Sequence, residues 1–317
     1  MPLPSRFRAV VVAFAVGAVG AFTLALAGCS SGSSGSAAAG AGSQPIRVVA
    51  AESFWGSIAA QLGGDRVQVT SIITNPDTDP HDYEATAADA RTIATARYVI
   101  VNGVGYDPWA PKLVAANPVT GRKVLTVGEL VGVPDGGNPH RWYSPPDVER
   151  VIDQITADYK ALDPTDASAF DRQRQRFETQ GLARYHGLID QIKQKYAGMP
   201  VGASESIFAP LADALGLKLL TPPGFLNAIS EGADPTAADK ATTDRQITTR
   251  QVKVFVYNSQ NTTPDVKALV AQARAEGIAV AIVTETPTPP EASFQDWQVR
   301  ELAALADALA NAKATSQ

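Results

Sequence analysis

Cysteine is nearly absent from this chain: Cys29 is the only one, which excludes an intramolecular disulfide framework. Histidine is also scarce, with His81, His140 and His186 as the complete set. Basic residues are fewer than acidic ones, 27 against 32. The net charge of −5 argues against nucleic acid as a partner, because proteins that bind it present a basic stripe. After residue 27 no apolar run approaches the roughly 20 residues of a membrane-spanning helix.

The N-terminal residues have the features of export and tethering rather than of a folded domain. Two arginines precede a long apolar run, an order that predicts a signal peptide over residues 1–28. The run ends in Leu-Ala-Gly-Cys at 26–29, which resembles the lipobox of bacterial lipoproteins and implies that Cys29 is acylated after cleavage. Residues 29–44, rich in Ser, Gly and Ala, predict a flexible tether. An uncleaved membrane helix is the alternative interpretation.

The remaining residues alternate between strand and helix patterns. Four runs rich in β-favouring residues fit strands in the first half: 46–50, 67–73, 98–102 and 123–127. The same alternation returns after residue 198, where 253–257 is a strongly β-favouring run. Strands that alternate with helices predict a mainly parallel, doubly wound sheet. We therefore expect an α/β protein with an N-terminal metal-binding lobe at 45–165 and a C-terminal one at 198–317.

A proline-free stretch separates the two predicted lobes. Residues 166–196 carry apolar side chains at spacings of three and four, which predicts a helix. At 1.5 Å per residue this helix would be about 45 Å long, longer than one lobe. We expect residues 166–197 to form one long rigid helix that joins the lobes and limits hinge closure.

Histidines and carboxylates follow the predicted strands. His81 lies in Pro-His-Asp-Tyr-Glu and His140 in Asn-Pro-His-Arg-Trp, while Glu205 and Glu285 come shortly after strands of the second half. Ligands of doubly wound sheets bind outside the carboxyl ends of the strands. Imidazole and carboxylate together suit divalent transition metals. Taken singly, each residue is also compatible with an ordinary surface group, and His186, within the long helix, is expected on a solvated face.

These motifs, in this order, resemble the metal-binding lipoproteins of zinc and manganese ABC transporters, the cluster A-I solute-binding proteins. The resemblance covers essentially the whole mature chain. It implies a metal site in the cleft between the lobes, with His81 and His140 from the first lobe and Glu205 and Glu285 from the second. The family commonly has Asp at the fourth position, so the longer Glu285 departs from its pattern, and Glu231 is the reserve candidate.

The resemblance also implies how the protein works. Zn²⁺ or Mn²⁺ is the transported ligand, an ABC permease and its ATPase are the partners, and the chain is a monomer anchored by lipid on the extracytoplasmic face of the cell membrane. The chain is thus expected not to be an enzyme. With an ordinary His pKa of about 6.5, metal affinity should fall in mildly acidic medium. Two alternatives stay open: a surface adhesion lipoprotein, and a zinc-dependent hydrolase, although His-Glu-x-x-His does not occur.

Overall fold

The computed structural model describes residues 44–76, 78, 83–261 and 263–314. The predicted signal peptide, the lipobox with Cys29 and the candidate ligand His81 lie outside the described residues. Within that part of the chain, no helix is both long and apolar enough to cross a membrane. The described residues all belong to one compact unit.

The N-terminal lobe is built on a parallel four-stranded sheet. Its strands are β1 (Ile46–Glu52), β2 (Val67–Ile73), β3 (Tyr98–Val101) and β4 (Lys123–Thr126). Its helices are α1 (Ser53–Gly63), α2 (Ala87–Thr95), α3 (Trp109–Ala116), α4 (Val127–Val131) and α5 (Pro145–Leu162). The strand order is β2-β1-β3-β4. Alternate residues of β1 and β3 join two different apolar clusters, one with α1 and α5 and one with α2 and α3, so both faces of the sheet are covered.

The predicted linking helix is present, and its α-helical hydrogen bonding is interrupted once. It consists of α6 (Ala167–Arg176), a π-helical turn at Phe177–Gly181 and α7 (Ala183–Tyr196). The Leu182 N–H donates to the Phe177 carbonyl at 2.8 Å, five residues back. Before the turn, α6 packs on α1 and α5 of the N-terminal lobe; after it, α7 packs on the last helix of the chain. The helix therefore contacts both lobes, and the π-turn lies where it passes from one to the other.

The C-terminal lobe repeats the same architecture. Its strands are β5 (Pro200–Ala203), β6 (Lys218–Leu219), β7 (Val254–Asn258) and β8 (Ala279–Val283). Its helices are α8 (Ala209–Ala214), α9 (Pro223–Ser230), α10 (Ala237–Thr248), α11 (Pro264–Ala275) and α12 (Phe294–Ala314). All pairings are parallel, and the order β6-β5-β7-β8 matches that of the first sheet. The prediction of two doubly wound lobes is confirmed.

A single apolar core runs through both lobes and includes a cluster of buried aromatic rings at their junction. Phe54 of α1 stacks on Trp142 with ring centroids 4.1 Å apart, and Tyr143 meets Trp297 of α12 edge to face at 5.8 Å. Such ring pairs stabilise by about 0.5–1.5 kcal/mol beyond the burial of their area. Trp142 and Tyr143 of this cluster follow closely after His140 in sequence, so the loop that carries this histidine is anchored in the core.

Candidate metal centre

Three of the four predicted ligands belong to the described residues, and two of them lie where strands end. Glu205 and Glu285 each come two residues after a strand, β5 and β8 respectively, and His140 lies in the loop between α4 and α5. The relative exposures of His140, Glu205 and Glu285 are 0%, 2% and 8%. Because all strands are parallel, their carboxyl ends meet at one edge of each sheet, and the loops from both lobes face one cleft.

The three side chains converge. One potential ligand atom from each of His140, Glu205 and Glu285 lies within 4.8 Å of the other two. The Nε2 atom of His140 is 3.6 Å from the Oε2 atom of Glu285. Groups this close, contributed by both lobes, can share a single cation. They form the one such cluster of three or more His, Cys, Asp or Glu side chains among the residues described.

The ring of His140 is oriented by its own loop. The Asn138 side-chain oxygen accepts from the His140 backbone N–H at 3.0 Å and lies 2.9 Å from Nδ1. A proton on Nδ1 satisfies that oxygen and leaves the lone pair of Nε2 facing the two carboxylates. The preceding carbonyl, of Pro139, accepts from the Asn102 side chain at 2.9 Å. The loop therefore presents the nitrogen that a metal would use.

Amide and hydroxyl groups hold the two carboxylates together. The Asn258 amide donates to one oxygen of each, at 2.6 Å to Glu205 and 2.9 Å to Glu285. Asn261 donates to the other oxygen of Glu205 at 2.7 Å, and the Tyr106 hydroxyl donates to Glu285 at 2.9 Å. These donors are all neutral, so they orient the carboxylates without neutralising them.

Gln260 fixes the backbone that carries Glu285. Its side-chain oxygen accepts from the backbone N–H groups of Glu285 and Thr286, while its amide donates to Thr286 Oγ1 and to the Pro76 carbonyl. Pro76 belongs to the N-terminal lobe. One glutamine thus ties the Glu285 loop to a loop of the other lobe.

Electrostatics at the cluster favour a cation. Burial, together with the charge of Glu285, raises the pKa of Glu205 to about 8. Burial lowers the pKa of His140 to about 4, so its imidazole is neutral at physiological pH. Burial is the largest cause of both shifts, because a desolvated site disfavours a charge that no opposite charge balances. A divalent ion between the carboxylates would remove the repulsion that raises the pKa of Glu205.

The other candidates have different positions. Glu231 is exposed at the C-terminal end of α9, outside the three-residue cluster, although its charge acts on His140. His186 on α7 is half-buried, with Nε2 3.0 Å from Glu149 of α5, instead of lying on a fully solvated face. His81 lies outside the described residues. The assignment of His81, His140, Glu205 and Glu285 as ligands stays a prediction.

The residues that hold the site were not identified from sequence. Asn258 is the last residue of β7, Gln260 and Asn261 follow that strand, and Tyr106 follows β3. Their signal is the same as that of the glutamates, a polar residue just after a buried parallel strand, and the stretch 258–261 (Asn-Ser-Gln-Asn) carries it three times. Amide side chains are less common metal ligands than His or Glu, so residue type alone does not mark these positions as part of a metal site.

Comparison with known proteins gives one family. The model of the family described as zinc-uptake complex component A, periplasmic, matches residues 48–308. The manganese-binding lipoprotein MntA of Bacillus subtilis is 25% identical over 274 residues, 82% of this chain and 85% of that protein. The zinc-binding lipoprotein AdcA of Streptococcus pneumoniae is 25% identical over 228 residues, 63% of this chain and 42% of that protein. The manganese-bound periplasmic metal-binding protein of Candidatus Liberibacter asiaticus has a similar fold, with a TM-score of 0.69, 21% identity, and coverage of 83% of this chain and 99% of that one.

Proposed function

Because this chain belongs to the family of periplasmic zinc-uptake complex component A, we propose that it captures zinc or manganese in its interlobe cleft and delivers the ion to a membrane permease. The predicted resemblance to metal-binding ABC transporter lipoproteins is confirmed by that membership. The chain is accordingly a substrate-binding component of a metal transporter. The observation that carries the proposal is the convergence of three buried ligand atoms within 4.8 Å.

The proposed ligands are His140, Glu205 and Glu285, with His81 as the fourth. One neutral imidazole and two carboxylates have a combined charge of −2, which a divalent ion cancels. Isolated buried charges are strongly unfavourable, and paired ones are tolerated when the geometry is good. Glu285 replaces the Asp that the family commonly has, and its close approach to His140, 3.6 Å, supports a direct role.

Affinity alone does not identify the cargo. The Irving–Williams order places zinc above manganese at sites made of imidazole and carboxylate. Tight zinc binding is therefore expected whichever metal is transported. MntA is named for manganese and AdcA for zinc, so this chain is similar to relatives that are named for either metal. We propose either ion as substrate of the same site.

We also propose that the chain binds metal without catalysing a reaction. A catalytic zinc site keeps an open position for water or substrate next to its protein ligands. Here each carboxylate accepts hydrogen bonds from neighbouring amides or hydroxyls, and all three groups are buried. Metal-loaded protein should show no hydrolysis of ester, peptide or phosphate substrates above the rate of free metal.

The location and domain organisation follow from the same proposal. Residues 1–28 would be removed on export and Cys29 would carry the lipid, with 29–44 as tether. Residues 45–165 and 198–317 would be the two metal-binding lobes and 166–197 the helix between them. An ABC permease and its ATPase are the proposed partners, and a monomer is the proposed state. Metabolic labelling with a fatty acid, compared with a Cys29→Ser variant, tests the anchor.

The experiment for the site compares bound metal in three forms of the full-length protein purified in detergent. Wild type, His140→Ala and the matched control His186→Ala are exposed equally to zinc and to manganese, and the metal content is measured. A single ion per chain in wild type and His186→Ala, lost in His140→Ala, supports the proposal. No bound metal in wild type after reloading contradicts it.

A further inference from the structure

The two sheets share one strand order, and their middle strands bring similar residues together. The central strand of each pairs with the next in the same register: Ala50 with Ile100 in the first lobe, and Ala203 with Val256 in the second. Two residues further along, this register places Glu52 beside Asn102 and Glu205 beside Asn258. Each glutamate is followed by serine. Glu52 therefore occupies, in the N-terminal lobe, the position of the proposed ligand Glu205.

The two equivalent glutamates have different surroundings. Glu205 lies at the cleft and accepts from Asn258 and Asn261. Glu52 has no exposed surface, and neither of its carboxyl oxygens has an N–H or O–H donor among the described residues. A buried carboxylate without a donor is highly unfavourable. Glu52 is thus a buried acidic group that metal capture, as proposed above, does not use.

Asp107 is the charged neighbour that contributes to a raised pKa of Glu52. Burial, the charge of Asp107 and a side-chain hydrogen bond with it raise the pKa of Glu52 well above its ordinary value. Asp107 is itself satisfied, because its oxygens accept from the backbone N–H groups of Asn102 at 2.7 Å and Gly103 at 2.8 Å. A proton on Glu52 supplies the donor that is missing between the two carboxyl groups, as in other carboxyl pairs that share one proton.

Asn102 connects Glu52 and Asp107 to the loop that carries His140. Its side-chain oxygen accepts from Trp55 Nε1 at 3.1 Å, and its amide donates to the Pro139 carbonyl at 2.9 Å. Pro139 directly precedes His140. The side chains that make this series of contacts are at most 1% exposed: Glu52, Asp107 and Asn102.

We propose that Glu52 is a positioning residue: as a neutral carboxylic acid it donates to Asp107, which fixes Asn102 and thereby the loop of His140. The inference rests on the proposed role of His140 as a ligand. The repeat explains the arrangement: in the C-terminal lobe the glutamate of the Glu–Asn pair is the proposed ligand Glu205, whereas in the N-terminal lobe the pair supports the proposed ligand His140 through its loop. Glu52 does not belong to the proposed ligand set, yet we expect it to be required for full metal affinity.

The test uses Glu52→Gln and Glu52→Met in the full-length protein purified in detergent. Glutamine keeps a donor toward Asp107, whereas methionine keeps the size and removes the donor. We expect Glu52→Gln to retain wild-type zinc affinity in a chelator competition assay. We expect Glu52→Met to lose about 10- to 100-fold, the usual range when a residue that supports a metal ligand is removed. Equal affinities of Glu52→Met and wild type would overturn the proposal, as would a Glu52→Gln loss as large as that of methionine.

Two measurements on metal-free protein judge the inference separately from metal capture. The infrared difference between wild type and Glu52→Gln should contain the carbonyl stretch of a protonated carboxylic acid, and its absence refutes the neutral state. The imidazole ¹⁵N resonances of His140 should shift in Glu52→Met and remain in place in Glu52→Gln. If Glu52→Met does not fold, the infrared difference and the Glu52→Gln resonances decide. Failure of wild type to bind metal would instead refute the proposed function.

Discussion

Glu205 and His140 have pKa values displaced in opposite directions by the same burial. The pKa of His140 falls to about 4 and that of Glu205 rises to about 8. An ordinary histidine would make the site sensitive to acid near its pKa of about 6.5. We therefore expect the carboxyl group of Glu205, and not the imidazole of His140, to exchange a proton for the metal at neutral pH.

We therefore expect apparent metal affinity to fall about tenfold per pH unit as pH decreases below about 8, because Glu205 must lose a proton before it can bind the ion. Calorimetric titrations in buffers of different ionisation enthalpy measure the protons released. Glu301→Gln is the control, since the pKa of Glu301 is also raised to about 8 by burial and it is not a proposed ligand. The slope should persist in that variant. A constant affinity through neutral pH would contradict the assignment.

The stability of the metal-free protein should depend on pH in the opposite sense from that of most proteins. Glu205 and Glu301 both have folded-state pKa values near 8, against an ordinary value of 4.5. The folded state binds these protons more tightly than the unfolded state does. Their contribution is fully present below pH 4.5 and is lost as pH rises through 8. Thermal unfolding of metal-free protein across this range measures the loss, and saturating zinc should remove the part that is due to Glu205.

At the scale of elements, the π-helical turn is the feature with the sharpest mutational signature. A Cβ on Gly181 would lie 2.8 Å from the ring of Phe177, whereas a Cβ on Gly187, one and a half turns later, meets nothing within 4 Å. We expect Gly181→Ala to destabilise the protein by about 1–3 kcal/mol through overpacking. Gly187→Ala should stabilise it by about 0.4–1 kcal/mol, as glycine in a helix costs backbone entropy. Urea unfolding of both variants measures the difference, and equal effects would contradict it.

The elements show which parts of the fold local sequence can predict. Strand β2 has the bounds that the sequence predicts, 67–73, because a run of β-favouring residues between turn signals is a local property. The short helices α4 and α9 have five and eight residues, too few for a periodic pattern. The π-turn was missed for a different reason: it depends on how Phe177 packs, which spacing along the helix does not indicate.

The site divides in the same way. Glu205 and Glu285 could be selected because residue type and strand ends are visible in sequence, and His140 because its Asn-Pro-His-Arg-Trp motif resembles that of the family. Asn258 and Tyr106 could not, since their roles depend on partners far away in the chain, such as Glu285 for the Tyr106 hydroxyl, 179 residues distant. Tertiary contacts of this range require the register of both sheets and the joining of the lobes.

For the whole molecule, the lobes are joined by more than the linking helix. The Tyr143 hydroxyl, from the N-terminal lobe, lies 3.0 Å from the Thr284 carbonyl oxygen and 2.5 Å from a carboxyl oxygen of Glu301, both within hydrogen-bond distance. The α1–α12 contact adds reciprocal hydrogen bonds between Gln61 and Gln295. These contacts, and the shared core, resist rotation of one lobe against the other.

We therefore expect only a small change in radius of gyration when metal binds, as measured by small-angle X-ray scattering with and without zinc. Tyr143→Phe removes the hydroxyl that bridges the lobes, leaving Glu301 without that donor, and should destabilise the protein by about 1–3 kcal/mol. The variant should also release metal faster. A wide opening of metal-free wild type in solution would show that these interlobe contacts do not limit closure.

The aromatic cluster at the lobe junction places a fluorescent tryptophan beside the proposed metal ligand His140. The Trp142 indole meets the His140 imidazole edge to face, with ring centroids 5.3 Å apart. A cation on that imidazole changes the electric field across the indole, so its fluorescence should follow occupancy without any added dye. Manganese is paramagnetic and zinc is not, and the two ions should therefore quench this emission to different extents. A Trp142→Phe variant removes the signal, and the same tryptophan in wild type can then reveal which ion arrives and how fast it leaves.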